Sequence, residues 1–133
     1  MVKTLLKEVK EYKKDTILSP VYVSIEAILE VFIPFLMAIL VDNGIEKGDM
    51  SSIWFYGFLM LVAAFVSLWA GAKSGKHAAI ASSGFAKNLR KAEYRKIQEF
   101  SFSNVDAYST SGLITRMMTD VTNIQNAYQM IIR

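Results

Sequence analysis

The chain has 133 residues, of which 53% are hydrophobic, and this share is high for a soluble domain of that size. Cysteine is absent, which excludes a disulfide framework and a thiolate metal site. The formal net charge of +3 is small, so the positions of the charges say more than their sum.

The N-terminal segment 1–15 mixes lysines with apolar residues, among them Leu5, Leu6 and Val9. This pattern predicts a cytoplasmic leader that forms an amphipathic helix on the inner leaflet, and a solvated charged leader is the alternative. The apolar run that follows is too long for the apolar part of a secretory signal, and no small-residue cleavage site comes after it. We therefore expect no signal peptide.

Two apolar runs follow, over residues 17–41 and 53–72. Helices of these lengths rise about 37 Å and about 30 Å, enough to cross a hydrocarbon core of about 30 Å. The runs predict transmembrane helices over residues 17–47 and 51–100, the second of which continues into the cytoplasm. A buried helical hairpin of a soluble protein is the alternative, and it predicts extraction without detergent.

The connector between the runs is acidic, with Asp42, Glu46 and Asp49 against Lys47, and either Asp49 or Ser51 can cap the second helix. Both outer flanks are basic. Their cations are Lys3, Lys7, Lys10, Lys13 and Lys14 before the first run, and Lys73, Lys76, Lys87, Arg90, Lys91, Arg95 and Lys96 after the second. The positive-inside rule therefore predicts that both chain ends lie in the cytoplasm.

The stretch from residue 73 to residue 100 has no proline and keeps a helical pattern. Phe85, Leu89, Ala92 and Phe100 share one face, which predicts packing, and the cations of residues 87–96 lie mostly on the other. This basic face indicates a solvated or headgroup-facing surface rather than a nucleic-acid site, because it adjoins a membrane span.

Small and acidic residues stand out within the spans. Gly71 and Gly75 form a GxxxG pair, which predicts a helix contact face, with simple small-residue filling as the alternative. Glu26 and Glu30 are four residues apart and so share a face, at a depth where carboxylates are costly. We interpret them as candidates for a cation-attracting wall of a substrate pathway. The alternatives are a polar contact with other helices and neutral, protonated side chains.

After the long helix, Ser103 and Asp106 form an S-x-x-D pattern that predicts the start of a short helix over residues 103–109. A break follows, and residues 112–133 predict the start of a third helix. Arg116 and Asp120 on this helix are spaced for an i,i+4 ion pair. Its predicted apolar stripe consists of Leu113, Met117, Val121, Ile124, Tyr128 and Ile131.

In their order and spacing, these residues resemble the N-terminal part of the transmembrane domain of type IV ABC exporters, and in particular bacterial subunits of heterodimeric multidrug-type exporters. The resemblance covers nearly the whole chain. It rests on Glu26, Glu30, Pro34 and residues 41–45 in the first span, then Leu89-Arg90, Phe100-Ser101-Phe102, residues 112–116 and Asp120-Val121. It implies an all-α membrane protein with two long transmembrane helices extended into the cytoplasm, a short coupling helix and the start of a third helix.

The resemblance also implies partners and contact residues. The short helix would be a coupling helix that docks on nucleotide-binding domains of the same and the partner subunit. Its implied contact residues are Phe102, Ser103, Asn104, Asp106 and Tyr108. A second half-transporter would complete a heterodimer in the bacterial cytoplasmic membrane, and no nucleic acid is expected. The complete transporter would use ATP and Mg²⁺.

The sequence of residues 71–77, GAKSGKH, superficially suggests a phosphate-binding loop. It fails the GxxxxGK[ST] spacing and has His77 where Ser or Thr is needed. We assign His77, the single histidine, no role, because further metal ligands do not converge on it. We therefore expect no catalytic residue, no cofactor-binding residue and no metal site in this chain, and no ATPase activity of its own.

The favoured function is the N-terminal membrane-domain part of an ATP-driven ABC exporter, which contributes to the substrate pathway and to coupling with nucleotide-binding domains. The alternative is a stand-alone two-span membrane adaptor whose cytoplasmic helical arm binds a partner. Coding sequence downstream of Arg133 discriminates the two, because further spans and a GxxxxGK[ST] motif are expected only for the exporter.

Overall fold

The computed structural model describes residues 7–99 and 110–133, apart from the side chains of Thr110, Ser111, Leu113 and Arg116. A 3-10 helix, Lys7–Tyr12, leads into helix α1, Lys13–Leu40, which ends in a π-helical turn, Val41–Ile45. Helix α2 runs over Met50–Gln98, and helix α3, Thr110–Thr115, is joined by a second π-helical turn, Arg116–Asp120, to helix α4, Val121–Ile132. The described residues contain no strand, so the predicted all-α fold with two long helices and a shorter third is confirmed.

The N-terminal segment differs from the regular amphipathic helix that its sequence predicts. It is a 3-10 helix with a break at Lys10, whose φ of 38° lies in the region that favours glycine. Val9 is buried in the protein core and is therefore not available to the inner leaflet. The side chain of Val9, which the sequence pattern predicts to contact lipid, packs against protein instead.

The chain divides into two compact units. The first, Leu18–Lys76, contains the helix hairpin and is called the hairpin unit here. The second combines Met1–Ile17 with His77–Arg133 and is called the arm unit.

The hairpin unit buries small side chains and exposes large ones. Its buried residues are Ser19, Leu36, Ala63, Ser67, Ala70 and Ser74, together with Gly44 and Gly71. Val31, by contrast, is 75% exposed. Small residues inside and large apolar residues outside are typical of helices that pack within lipid, where Leu or Val gains nothing by turning inward.

Two helical segments, Lys7–Ile45 and Met50–Gln98, are long and apolar enough to cross a membrane. Only 6% of the most apolar window of the first and 17% of that of the second are buried. A core helix of a soluble protein would be mostly buried, so these fractions favour membrane spans.

Asp49 caps α2: its carboxylate accepts hydrogen bonds from the Ser52 hydroxyl (2.6 Å) and the Ser51 N–H (3.1 Å), which lower its pKa.

The arm unit has a conventional apolar core. Its buried members are Val9, Ala78, Ala81, Phe85, Ala86, Leu89, Val121, Tyr128 and Ile132, with Tyr12 and Ile124 packed against them. The rings of Phe85 and Tyr128 lie 4.6 Å apart between centroids. The predicted packing of Phe85 and Leu89 is confirmed, and Phe100 lies outside the described residues.

The predicted stripe of the third helix is wrong at its end, because Ile131 is 81% exposed and Ile132 is buried instead. Ile132 follows Val121 by eleven positions, and at about 100° per position these complete three turns to within about 20°. Ile131 therefore falls about 80° away from the direction of Val121. An apolar stripe predicted from three- and four-residue spacings can be wrong by one residue after three turns. Only the packing determines whether Ile131 or Ile132 is buried.

Gly84 permits close packing in the arm unit. A methyl group at this position would overlap the ring of Tyr12, which lies directly over the glycine. The segment before α1 can therefore approach α2 only where α2 has no side chain.

We predict that Gly84→Ala destabilises the chain and that Gly57→Ala does not. Alanine normally stabilises a helix interior by about 1 kcal/mol relative to glycine, whereas overpacking costs about 1–3 kcal/mol. Gly57 has open space where its Cβ would lie. Thermal unfolding in detergent should show a lower midpoint for Gly84→Ala and an equal or higher one for Gly57→Ala. Adding Tyr12→Ala to Gly84→Ala should remove the overlap, and a stabilised Gly84→Ala single variant would contradict the packing described here.

Candidate functional site

In the hairpin unit, the carboxylate of Glu26 on α1 lies against Gly71 on α2. A Cβ at Gly71 would collide with Glu26 Oε1, and it would stand 2.8 Å from Cδ and 3.1 Å from Oε2. The glycine thus leaves the space that the half-buried carboxylate occupies. Gly71, one of the two glycines of the GxxxG pair, is buried in this helix contact.

Glu30 has a different environment, although it shares the face predicted for Glu26. It is exposed, while Glu26 is half-buried against the second helix. The structure therefore brings one of the two predicted carboxylates into the helix contact and leaves the other open. A pathway role for this pair remains a prediction.

A reciprocal serine pair also joins the two helices of the hairpin unit. The Ser19 hydroxyl donates to the Ser74 carbonyl (3.2 Å), and the Ser74 hydroxyl donates to the Ser19 carbonyl (3.1 Å). Both serines are fully buried, and each hydroxyl has an acceptor, as a buried polar group requires. Sequence reasoning did not identify this pair, although small polar residues within apolar runs are a known signal of helix contacts.

Aromatic residues of the hairpin unit add a further contact. The rings of Tyr22 and Trp69 meet edge to face at 5.7 Å between centroids. The ammonium of Lys73 lies 5.7 Å from the centre of the Trp69 ring, within the range of a cation–π contact.

In the arm unit, Asp15 and His77 form a close polar pair that the sequence alone does not indicate. Oδ1 of Asp15 and Nδ1 of His77 are 2.7 Å apart, and both side chains are largely buried. The two residues are 62 positions apart in the sequence, so no local pattern could pair them. Among the residues that the structure describes, no group of three potential ligands could hold a metal ion.

Hydrogen bonds tie α4 to the rest of the arm unit. The Thr16 hydroxyl donates to the Tyr12 carbonyl (2.8 Å), so the Tyr128 hydroxyl, 2.8 Å from Thr16 Oγ1, is the donor of the second bond. Ser82 donates to the Gln129 side chain at 3.2 Å. Together with the apolar core, these contacts hold α4 against two other segments of the unit.

Several predicted residues fall outside the described part of the chain. The predicted contact residues of the coupling helix are Phe102, Ser103, Asn104, Asp106 and Tyr108, and all five lie there. The side chain of Arg116 is likewise not described, so its predicted ion pair with Asp120 stays a prediction. Asp120 itself is exposed.

Glu93 on α2 has a perturbed carboxyl group. Partial burial is the main cause that raises its pKa, the negative charge of Asp120 adds to the effect, and the positive charge of Arg90 opposes it. Arg90 also donates to the Thr122 hydroxyl at 3.3 Å, which brings charged and polar groups of α2 and α4 together here.

The segment 71–77 does not fit a nucleotide phosphate. It lies within α2, where backbone N–H groups serve the helix rather than a ligand. Gly71 faces the Glu26 carboxylate, which would repel a phosphate.

The chain is similar to one protein family and to several individual proteins. Residues 16–133 match the family described as ABC transporter transmembrane region. The uncharacterized ABC transporter ATP-binding protein YfiB of Bacillus subtilis (strain 168) is 37% identical over 108 residues, which are 81% of this chain and 19% of that protein. Similarly described proteins of Mycobacterium bovis and Mycobacterium tuberculosis are 25% identical over an alignment 138 positions long, which covers 98% of this chain and 22% of each protein. The chain spans about a fifth of the length of these curated relatives.

We predict that Glu93→Gln stabilises the chain at neutral pH and has little effect below pH 4.5. A carboxyl group whose folded-state pKa lies above its ordinary value of 4.5 contributes stability when protonated and loses it as the pH rises through the folded pKa. The amide removes that loss. Unfolding midpoints of both proteins at pH 4 and pH 7.5 measure the effect, and Glu46→Gln in the exposed connector is the control. An equal gain at both pH values would contradict the assignment to ionisation.

Proposed function

Because this chain belongs to the family of ABC transporter transmembrane regions, we propose that it forms the N-terminal part of the membrane domain of an ATP-driven exporter. In this proposal the hairpin unit contributes to the substrate pathway, and the arm unit couples the membrane helices to nucleotide-binding domains. The family implies both nucleotide-binding domains and a lipid environment as partners.

The observation that carries the coupling role is the continuation of α2 beyond its apolar run. Helix α2 continues through Gln98, and from His77 onward it supplies the core of the arm unit with Phe85 and Leu89. The residues from 77 to 98 correspond to about 33 Å of helix. A helix braced by a packed core and by hydrogen bonds to α4 transmits displacement as a rigid element.

We assign the proposed contact with nucleotide-binding domains to residues 103–109, which follow α2 in the sequence. Its main contact side chains would be Asn104, Asp106 and Tyr108, together with Phe102 just before this segment. ATP and Mg²⁺ would be used by domains of the complete transporter, since the segment 71–77 does not fit a phosphate. A second half-transporter, in a heterodimer, would supply the other half of the pathway.

We further propose a bacterial cytoplasmic membrane location with both ends of this segment inside. The acidic connector and the basic flanks support this orientation. Glu26 and Glu30 would then lie within the span and attract cationic substrates, because a carboxylate in a poorly solvated site favours a nearby positive charge.

For the complete transporter, we predict that Glu26→Gln and Glu30→Gln each lower export of a cationic dye by roughly fivefold, as expected for a loss of about 1 kcal/mol of charge attraction. Export of a neutral dye should not change. Dye efflux from cells, with expression measured on the same samples, tests this, and Glu46→Gln in the connector is the matched control. Unchanged cationic efflux in both variants would remove these residues from the pathway.

The purified chain should show no nucleotide turnover above a protein-free blank. The reason is that the segment 71–77, which superficially resembles a phosphate-binding loop, lies in a helix. Its Gly71 faces the carboxylate of Glu26. Release of inorganic phosphate from Mg²⁺–ATP is the measurement, with the complete transporter as positive control. Turnover that follows the chain through purification and is lost with Lys76→Ala would overturn this prediction.

A further inference from the structure

One face of the arm unit carries three cations in a row. Lys87, Lys91 and Arg95 follow each other at four-residue intervals on α2, and all three are exposed. We call them the cation stripe. At about 1.5 Å per residue, neighbouring members are spaced about 6 Å apart along the helix.

The cation stripe has no acidic partner among the described residues. The ion pairs found there join Lys10 to Glu8 (2.9 Å), His77 to Asp15 and Lys96 to Glu99. None involves the stripe, and no described hydrogen bond reaches its side chains. Like charges on one helix face repel each other, and the two carboxylates that line the adjoining groove, Glu8 and Glu11, are fewer than its four cations, so the stripe favours a partner that brings negative charge.

The stripe borders a groove of about 500 Å³. Asn88 and Ala92 of α2 also line it, and Lys10, Glu8 and Glu11 of the N-terminal segment form the opposite wall. The Asn88 side chain donates to the Glu8 carbonyl at 2.9 Å and fixes that wall in place. Lys10 also lines the groove, and its ammonium is paired with the carboxylate of Glu8 at 2.9 Å.

The position of the stripe argues against lipid headgroups as the occupant. Lys87 follows His77 by ten residues, about 15 Å of helix, and His77 itself comes after the end of the apolar run at residue 72. The headgroup region adds only about 5–8 Å to each side of the hydrocarbon core. An aqueous partner fits this distance better than the membrane surface does.

We propose that the cation stripe docks an acidic α-helix of a protein partner. Carboxylates at four-residue spacing on a facing helix repeat at the same interval of about 6 Å as Lys87, Lys91 and Arg95. The small side chain of Ala92 lets such a helix approach between the cations. The proposal concerns residues other than those of the predicted coupling helix, 103–109, and other than Glu26 and Glu30.

The test uses the full chain in nanodiscs of zwitterionic lipid. The probe is a fluorescent alanine-based helical peptide with glutamates at three positions four residues apart, and its glutamine counterpart is the neutral control. Anisotropy should show binding of the acidic peptide only. Combined substitution of Lys87, Lys91 and Arg95 by Gln should weaken it by roughly tenfold or more, as for the loss of three charge pairs.

A matched variant removes three other exposed cations, Lys13, Lys14 and Lys76, by the same change to Gln. The affinity of this variant for the acidic peptide should stay within about twofold of that of the unaltered chain, since only nonspecific charge attraction is lost. Converting the stripe to three glutamates should transfer binding to a lysine version of the peptide, and an unchanged circular dichroism spectrum is the check that the variant chain remains folded. Equal losses in the two triple variants would overturn the proposal. The proposal would also be overturned if substitution of the stripe weakened binding to phosphatidylglycerol vesicles but not binding to the acidic peptide.

Discussion

The structure depends on a stripe of small side chains along α2. Ala63, Ser67, Ala70, Ser74, Ala78 and Ala81 recur at intervals of three and four, and all are buried. Where a side chain would obstruct packing, glycine replaces it, at Gly71 against Glu26 and at Gly84 against Tyr12. Two helices can approach closely along such a stripe, and close approach supplies van der Waals contact in lipid, where the hydrophobic effect between helices is absent.

The two units bury different kinds of residue on this helix. In the hairpin unit, large apolar residues such as Phe58 and Leu68 point outward, which stabilises a helix in hydrocarbon and would promote aggregation in water. In the arm unit, Phe85, Leu89 and Tyr128 turn inward, the arrangement that the hydrophobic effect stabilises in water. This change in what the helix buries agrees with the proposed passage of α2 from hydrocarbon into water.

Much of the fold could be predicted because hydropathy and charge act over long stretches. The two spans are predicted from the length of the apolar runs, and the buried face of Phe85 and Leu89 is predicted from helical periodicity. The pairs Ser19–Ser74 and Asp15–His77 could not be, since each depends on the register between segments far apart in the chain. The sequence pattern assigns the apolar side chain of Val9 to lipid, because it does not reveal that α2 offers a competing surface. It places the carboxylate of Glu26 in the first span, but the glycine partner emerges only from the packed helices.

The π-helical turn Arg116–Asp120 has a consequence for how relatives are compared. A π turn accommodates one more residue than an α-helical turn, so it advances the sequence by one position without advancing the helix face. Val121 and Tyr128, which follow it, keep their inward direction only for as long as that extra residue is present. A homologue with a regular α-helix here would preserve the same buried face by having one residue fewer. A single-residue gap between positions 116 and 120 in an alignment would thus indicate that the π turn is replaced by a regular α-helical turn, while the packing of the arm stays the same.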